Sequence, residues 1–70
     1  MLDKWTGEVV GTMHIYGVSN IEIARKMGVN KGYVSALLNC KKRPKDAEFK
    51  VRTALLEVLR DRGNAEAEGY

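Results

Sequence analysis

Two short amphipathic segments, each opened by its own cap and set three residues apart, constrain this chain more than any other feature. The first is announced by Ser19-Asn20-Ile21-Glu22, the pattern of a capping box. In such a box the Ser19 hydroxyl accepts the backbone N–H of Glu22, and the Glu22 carboxylate accepts the N–H of Ser19. Val18 and Ile23 sit where a hydrophobic staple would pin the entry of the chain. This segment carries Ile23, Ala24 and Met27 inward and is predicted to stop at Gly28, where a positive φ is needed. After the turn Gly28-Val29-Asn30, Asn30 is a preferred N-cap for the next helix. Val29 and Val34 repeat the staple, and Val34, Leu37 and Leu38 form its buried stripe. Two capped helices across so short a turn are the physical content of a helix-turn-helix, here spanning residues 19–40. Ala24 is small where the helices cross, and Val34 fills the angle between them.

The rest of the chain reads as helix as well. Trp5, Val9, Met13 and Tyr16 recur at helical spacing, so a first helix is predicted over 3–16, with Val10 widening its stripe and Gly17 ending it. Beyond Pro44, Asp46 is placed to cap a fourth helix over 47–62. Its main stripe is Ala47, Val51, Ala54, Leu55, Val58 and Leu59, and Gly63 is its expected end. Phe49 and Leu56 fall on nearly the opposite face. No alternating run of β-branched residues marks a strand. The expected fold is therefore all-α: a compact domain of four helices, or five if the last segment divides, over 1–63. Residues 64–70, with no large aliphatic side chain, are expected to form a disordered tail.

Charge narrows the partners. The chain of 70 residues carries a net charge of +3, yet residues 25 to 52 hold nine of its twelve basic side chains and two of its nine acidic ones. That middle segment is the electrostatic footprint of a polyanion binder, or else a solvated basic surface. The single cysteine, Cys40, leaves no intramolecular disulfide and no multi-cysteine zinc site, and an unpaired thiol fits a reducing compartment. His14 has no second histidine or carboxylate one turn on. No catalytic motif, phosphate loop or membrane-length apolar run is present, and the N-terminus lacks the pattern of a secretory signal. The expectation is a non-enzymatic, cytoplasmic protein with no cofactor, no metal, no membrane contact and no small-molecule ligand.

The stretch from Asn20 to Asn39 resembles the helix-turn-helix of the lambda-repressor and Cro-like (Xre-type) regulators, a DNA-binding family. Ile23-Ala24, Met27-Gly28-Val29, Val34, Leu37 and Leu38-Asn39 fall on the family's pattern. Leu38-Asn39-Cys40-Lys41-Lys42-Arg43-Pro44 resembles its exit, with Cys40 in place of the usual glycine. The likeness extends over about residues 5 to 60. It implies that the third helix lies in the major groove of double-stranded DNA with its first turn toward the base edges. Lys31, Gly32, Tyr33 and Ser35 are then the base and groove contacts, with Lys31 matched to guanine O6 and N7. Asn20, Asn39, Lys41, Lys42, Arg43 and Lys45 are the phosphate contacts. The function implied is that of a small phage or bacterial transcriptional regulator of repressor type.

Each assignment has a plainer counterpart. Tyr33 covers an edge of the core, Ser35 is a small exposed residue, Lys31 is solvated, and Asn39 caps its own helix. Phe49 and Leu56, seven residues apart, offer a face for a homodimer, or else they cover Trp5 and the first helix. A function of another class, a protein-interaction adaptor or inhibitor reusing the scaffold, would anchor on Trp5, Tyr33 or Phe49.

Overall fold

A computed structural model describes residues 3–68, the last five as helical backbone alone. Four helices follow in order: α1 (Lys4–Tyr16), α2 (Asn20–Met27), α3 (Lys31–Leu38) and α4 (Ala47–Glu68). No strand occurs among the described residues, and the all-α expectation holds. α2 packs on α3 and α4, and α1 closes the other side against α4 and α3.

The helix boundaries at the centre follow the local chemistry. The N–H of Ser19 donates to Glu22 Oε2 at 2.8 Å, and the N–H of Glu22 donates to Ser19 Oγ at 3.4 Å. Val18 and Ile23 are both buried, as the staple requires. Gly28 takes the left-handed conformation, φ 71° and ψ 31°, and its N–H donates to the carbonyl oxygens of Ala24 and Arg25. A side chain there would meet no neighbour within 4 Å, so the requirement for glycine is one of backbone conformation rather than space. Asn30 Oδ1 accepts the N–H of Tyr33 at 2.8 Å, capping α3. Ile23, Val34 and Leu37 are essentially inaccessible and form the middle of the core with Val9 and Val51.

α1 contributes a narrower stripe than its periodicity predicts. Val9 and Met13 are buried and Trp5 is half-buried, but Val10 and Tyr16 are exposed. One step of about 100° around the helix carries Val10 past the edge of a core that only two other helices cover. In its place Thr6 is fully buried, its hydroxyl donating to the carbonyl of Asp3 at 2.7 Å. That local bond removes the cost of burying a hydroxyl.

α4 departs from expectation at its end. Its buried face is the predicted one: Ala47, Val51, Ala54, Leu55 and Val58, with Leu59 half-buried. Gly63 does not stop it, and the helix runs to Glu68 without dividing into two. Glycine inside a helix costs about 1 kcal/mol relative to alanine, which disfavours but does not forbid continuation into a segment rich in Ala and Glu. The expected disordered tail is thus helical backbone over residues 64–68; its final two residues lie outside the described residues.

Candidate nucleic-acid interface

The exposed side of α3 and the loop that leaves it carry most of the sequence-predicted contacts. Lys31 and Gly32 open α3 and are exposed. A Cβ at Gly32 would stand 3.3 Å from the Asn30 Oδ1 that caps the helix, so glycine here also protects the cap. Ser35 and Asn39, one turn apart, form a unit. Asn39 Nδ2 donates to the Ser35 carbonyl at 2.9 Å and to Ser35 Oγ at 3.2 Å. Asn39 therefore does terminate its own helix, while its amide and the Ser35 hydroxyl remain a polar pair at the surface.

Tyr33 points elsewhere. Its ring is half-buried against the core beside Met27, Val29, Leu37, Pro44 and Ala47. Lys42 Nζ stands 5.3 Å from the ring centroid, a cation–π contact that fastens the exit loop to the first turn of α3. Of the two roles open to Tyr33 in the sequence, the core-edge role describes its ring.

The exit itself resolves the one departure from the expected motif. Cys40 adopts φ 60°, the left-handed conformation usually left to glycine. The N–H groups of Cys40 and Lys41 donate back to Leu37 and Ala36 at 3.2 and 2.9 Å. The chain thus turns as it would with glycine. The strain is offset by contacts a glycine lacks: Cys40 Sγ accepts the N–H of Asp3 at 3.3 Å and lies 3.8 Å from Thr6 Oγ1. These contacts bind the start of α1 to the end of α3.

Ion pairs sort the nine bases of the middle segment. Lys26 pairs with Asp61. Lys50 pairs with Asp46 at 3.0 Å, and Arg52 holds both Glu8 at 2.9 Å and Glu48 at 2.8 Å. Each pair leaves its mark on titration. The Lys50 ammonium holds the Asp46 carboxyl below its ordinary range, Lys26 does the same for Asp61, and Glu48 and then Glu8 raise Arg52 further. Arg43 reaches Asp3 only at 3.9 Å and donates from Nε to the Cys40 carbonyl at 3.4 Å. Lys31, Lys41, Lys42, Lys45 and Arg25 pair with no carboxylate among the described residues. All are exposed, and the four lysines belong to the start of α3 and its exit loop.

The first turn of α2 is more crowded than its sequence implies. Asn20 is half-buried there, beside a Glu22 carboxylate that faces the helix N-terminus. Glu22 also accepts Arg62 Nη2 at 2.7 and 2.9 Å, and the Arg62 guanidinium donates further to the carbonyls of Tyr16 and Gly17. The Ser19 N–H, and then Arg62, hold the Glu22 carboxyl below its ordinary value. One arginine from α4 thereby fixes the end of α1 and the cap of α2. No local pattern signals this, because the partners are some forty residues apart.

The faces left apolar are clear. Phe49 and Leu56 are largely exposed and belong neither to the core nor to the residues packed against it, among which Trp5 stands. Ile15 and Ile21, which the periodic patterns passed over, are exposed as well. Among the described residues no helix is long and apolar enough to cross a membrane. Comparison with family models, with characterised proteins and with solved structures finds no match to this chain.

Proposed function

We propose that this chain binds double-stranded DNA through the α2–α3 helix-turn-helix, as a small sequence-specific transcriptional regulator of the bacterial or phage repressor type. The observation that carries the reading is the sorting of charge. Lys26, Lys50 and Arg52 are neutralised by carboxylates, whereas, among the described residues, Lys31, Lys41, Lys42 and Lys45 stand unpaired at one helix and its exit, with Arg25 unpaired on α2. Unpaired surface cations gathered in this way raise the local potential and attract a polyanion.

In this reading Lys31 donates to base edges from the first turn of α3, and Gly32 lets the backbone approach the groove. The Ser35–Asn39 pair adds a hydroxyl and an amide farther along the same helix. Lys41, Lys42 and Lys45 hold phosphates, joined by Arg43 once its long contact to Asp3 gives way, and Asn20 does so from the start of α2. Tyr33 serves by stiffening the loop that carries Lys42.

Titration of the full chain against a random duplex library at low salt tests the proposal, with selection of the bound fraction to reveal the site. Binding is expected to weaken with salt at a log–log slope of about −3.6 per subunit if the four exit-loop bases each neutralise one phosphate. Lys41→Ala should weaken all sequences alike, and Lys31→Ala should relax the preference at one or two positions. No binding at low salt, together with a stoichiometric protein partner, would replace this reading with that of a protein-interaction adaptor.

A further inference from the structure

The buried face of α4 leaves a second apolar strip on its far side. Phe49 is 74% and Leu56 67% exposed, and at 100° per residue they stand within about 20° of each other, about 10 Å apart along the axis. Grooves border the strip on both sides. One is lined by Met27, Thr53 and Glu57, the other by Lys45, Glu48 and Arg52.

The charges beside the strip say what covers it. Asp46, Lys50, Thr53, Glu57 and Arg60 run along one edge, all exposed except the half-buried Glu57. Their charges read minus, plus, neutral, minus, plus. Turned end for end, the row reads plus, minus, neutral, plus, minus. Laid antiparallel against itself, the row sets Asp46 and Lys50, which already pair with each other at 3.0 Å, opposite Arg60 and Glu57 of a second copy, so that the contact extends that pair into a four-charge network, while Phe49 meets Leu56. The midpoints of these three pairings all fall within a residue of Thr53. A parallel two-fold pair would instead set this row against the other edge of the partner helix, that of Lys45, Glu48 and Arg52, and lose the self-complementary pattern. Arg52, on the other edge near the centre, already holds Glu8 and Glu48, so two copies of it do not meet as bare cations.

We propose that the chain self-associates through α4 as an antiparallel, two-fold symmetric pair centred on Thr53. The apolar strip supplies the attraction, and the flanking charges set orientation and register. The pair stands independently of DNA binding; where DNA is bound, it calls for an inverted-repeat site.

Sedimentation equilibrium of the full chain without DNA tests this directly. Over about a hundredfold range of concentration a monomer–dimer equilibrium in the micromolar range is expected, as suits a small interface. Leu56→Glu should weaken association by about tenfold or more and leave the melting temperature of the monomer in place, since Leu56 lies outside the core. Lys50→Glu should weaken it several-fold, and adding Glu57→Lys should restore it. On a Cys40→Ala background, Thr53→Cys should form a disulfide-linked dimer under mild oxidation, whereas Arg60→Cys, facing residue 46, should not. If Cys40→Ala unfolds the chain, the charge-swap pair decides. A monomer at all concentrations overturns the proposal. So does a dimer that Leu56→Glu leaves intact, a charge swap that fails to restore association, or Arg60→Cys cross-linking as readily as Thr53→Cys.

Discussion

The α2–α3 unit and α4 meet in one core, yet they are specified in different ways. Each end of α2, and the start of α3, is held by a side chain or a glycine within a few residues of it. The single capping hydrogen bond of Ser19 or Asn30 stabilises by about 1 kcal/mol, and a wrong residue forfeits it. α4 has no comparable stop among the described residues. Its expected terminator, Gly63, is a residue that α4 passes through. The comparison teaches that glycine ends a helix where the chain must take a positive φ to turn back onto a core, as at Gly28. Where nothing calls the chain back, glycine only lowers helix propensity.

The largest effect that would sharpen the comparison lies where the two regions meet. Ile23→Ala removes an inaccessible α2 side chain from the core that α2 shares with α4, and should lower unfolding free energy by about 3 kcal/mol in urea titration. A loss below about 1 kcal/mol would mean that α2 and α4 do not share one tight core.

The two glycines should then respond with opposite signs. Gly28→Ala forces a Cβ into the left-handed region and should cost about 1–2 kcal/mol, although no atom lies in its way. Gly63→Ala also has open space, but on a helical backbone, and should stabilise by up to about 1 kcal/mol. Destabilisation by Gly63→Ala would show that the chain does turn there after all.

Capping by near and by distant residues can be separated next. Ser19→Ala should cost about 1 kcal/mol. Arg62→Ala should cost somewhat less, because its contact with Glu22 is part-exposed and screened by salt. Only the second loss should shrink as ionic strength rises.

The smallest effect is a dependence on pH. Glu22 is held below its ordinary value of 4.5 in the folded chain, by the Ser19 N–H and Arg62. Its contribution is therefore complete above that value and disappears as pH falls through the lowered one. Asp46 and Asp61, also lowered by their lysine partners, act in the same direction. Melting temperature should fall with acidification below about pH 4.5, less steeply in Glu22→Gln. Equal slopes for the two proteins would remove Glu22 from the account.

Much of the candidate site was legible in advance, for a local reason. Lys31, Lys41, Lys42 and Lys45 are exposed because they fall off the apolar stripe or in a loop, and the sequence shows both conditions. Tyr33 was not decided, since an aromatic residue in the third position of α3 faces outward until α4 and Pro44 close over it. Nor was it visible that Lys26 would meet Asp61 or that Arg52 would meet Glu8, whereas Asp46–Lys50 and Glu48–Arg52 are local pairs four residues apart.

The sequence by itself determined the four helices, the cap and turn at each end of α2, and most of the core, because hydrogen bonds and apolar periodicity within a few residues settle those. It did not determine the end of α4, the exposure of Val10 and Tyr16 or the burial of Thr6. The tertiary structure alone decided the Arg62 clamp, the left-handed Cys40 braced by Asp3 and Thr6, and the pairing of Lys26 with Asp61 and of Arg52 with Glu8. Those outcomes depend on side chains up to forty-six residues apart, and only the packing of α1 and α4 on the central pair brings such partners within reach.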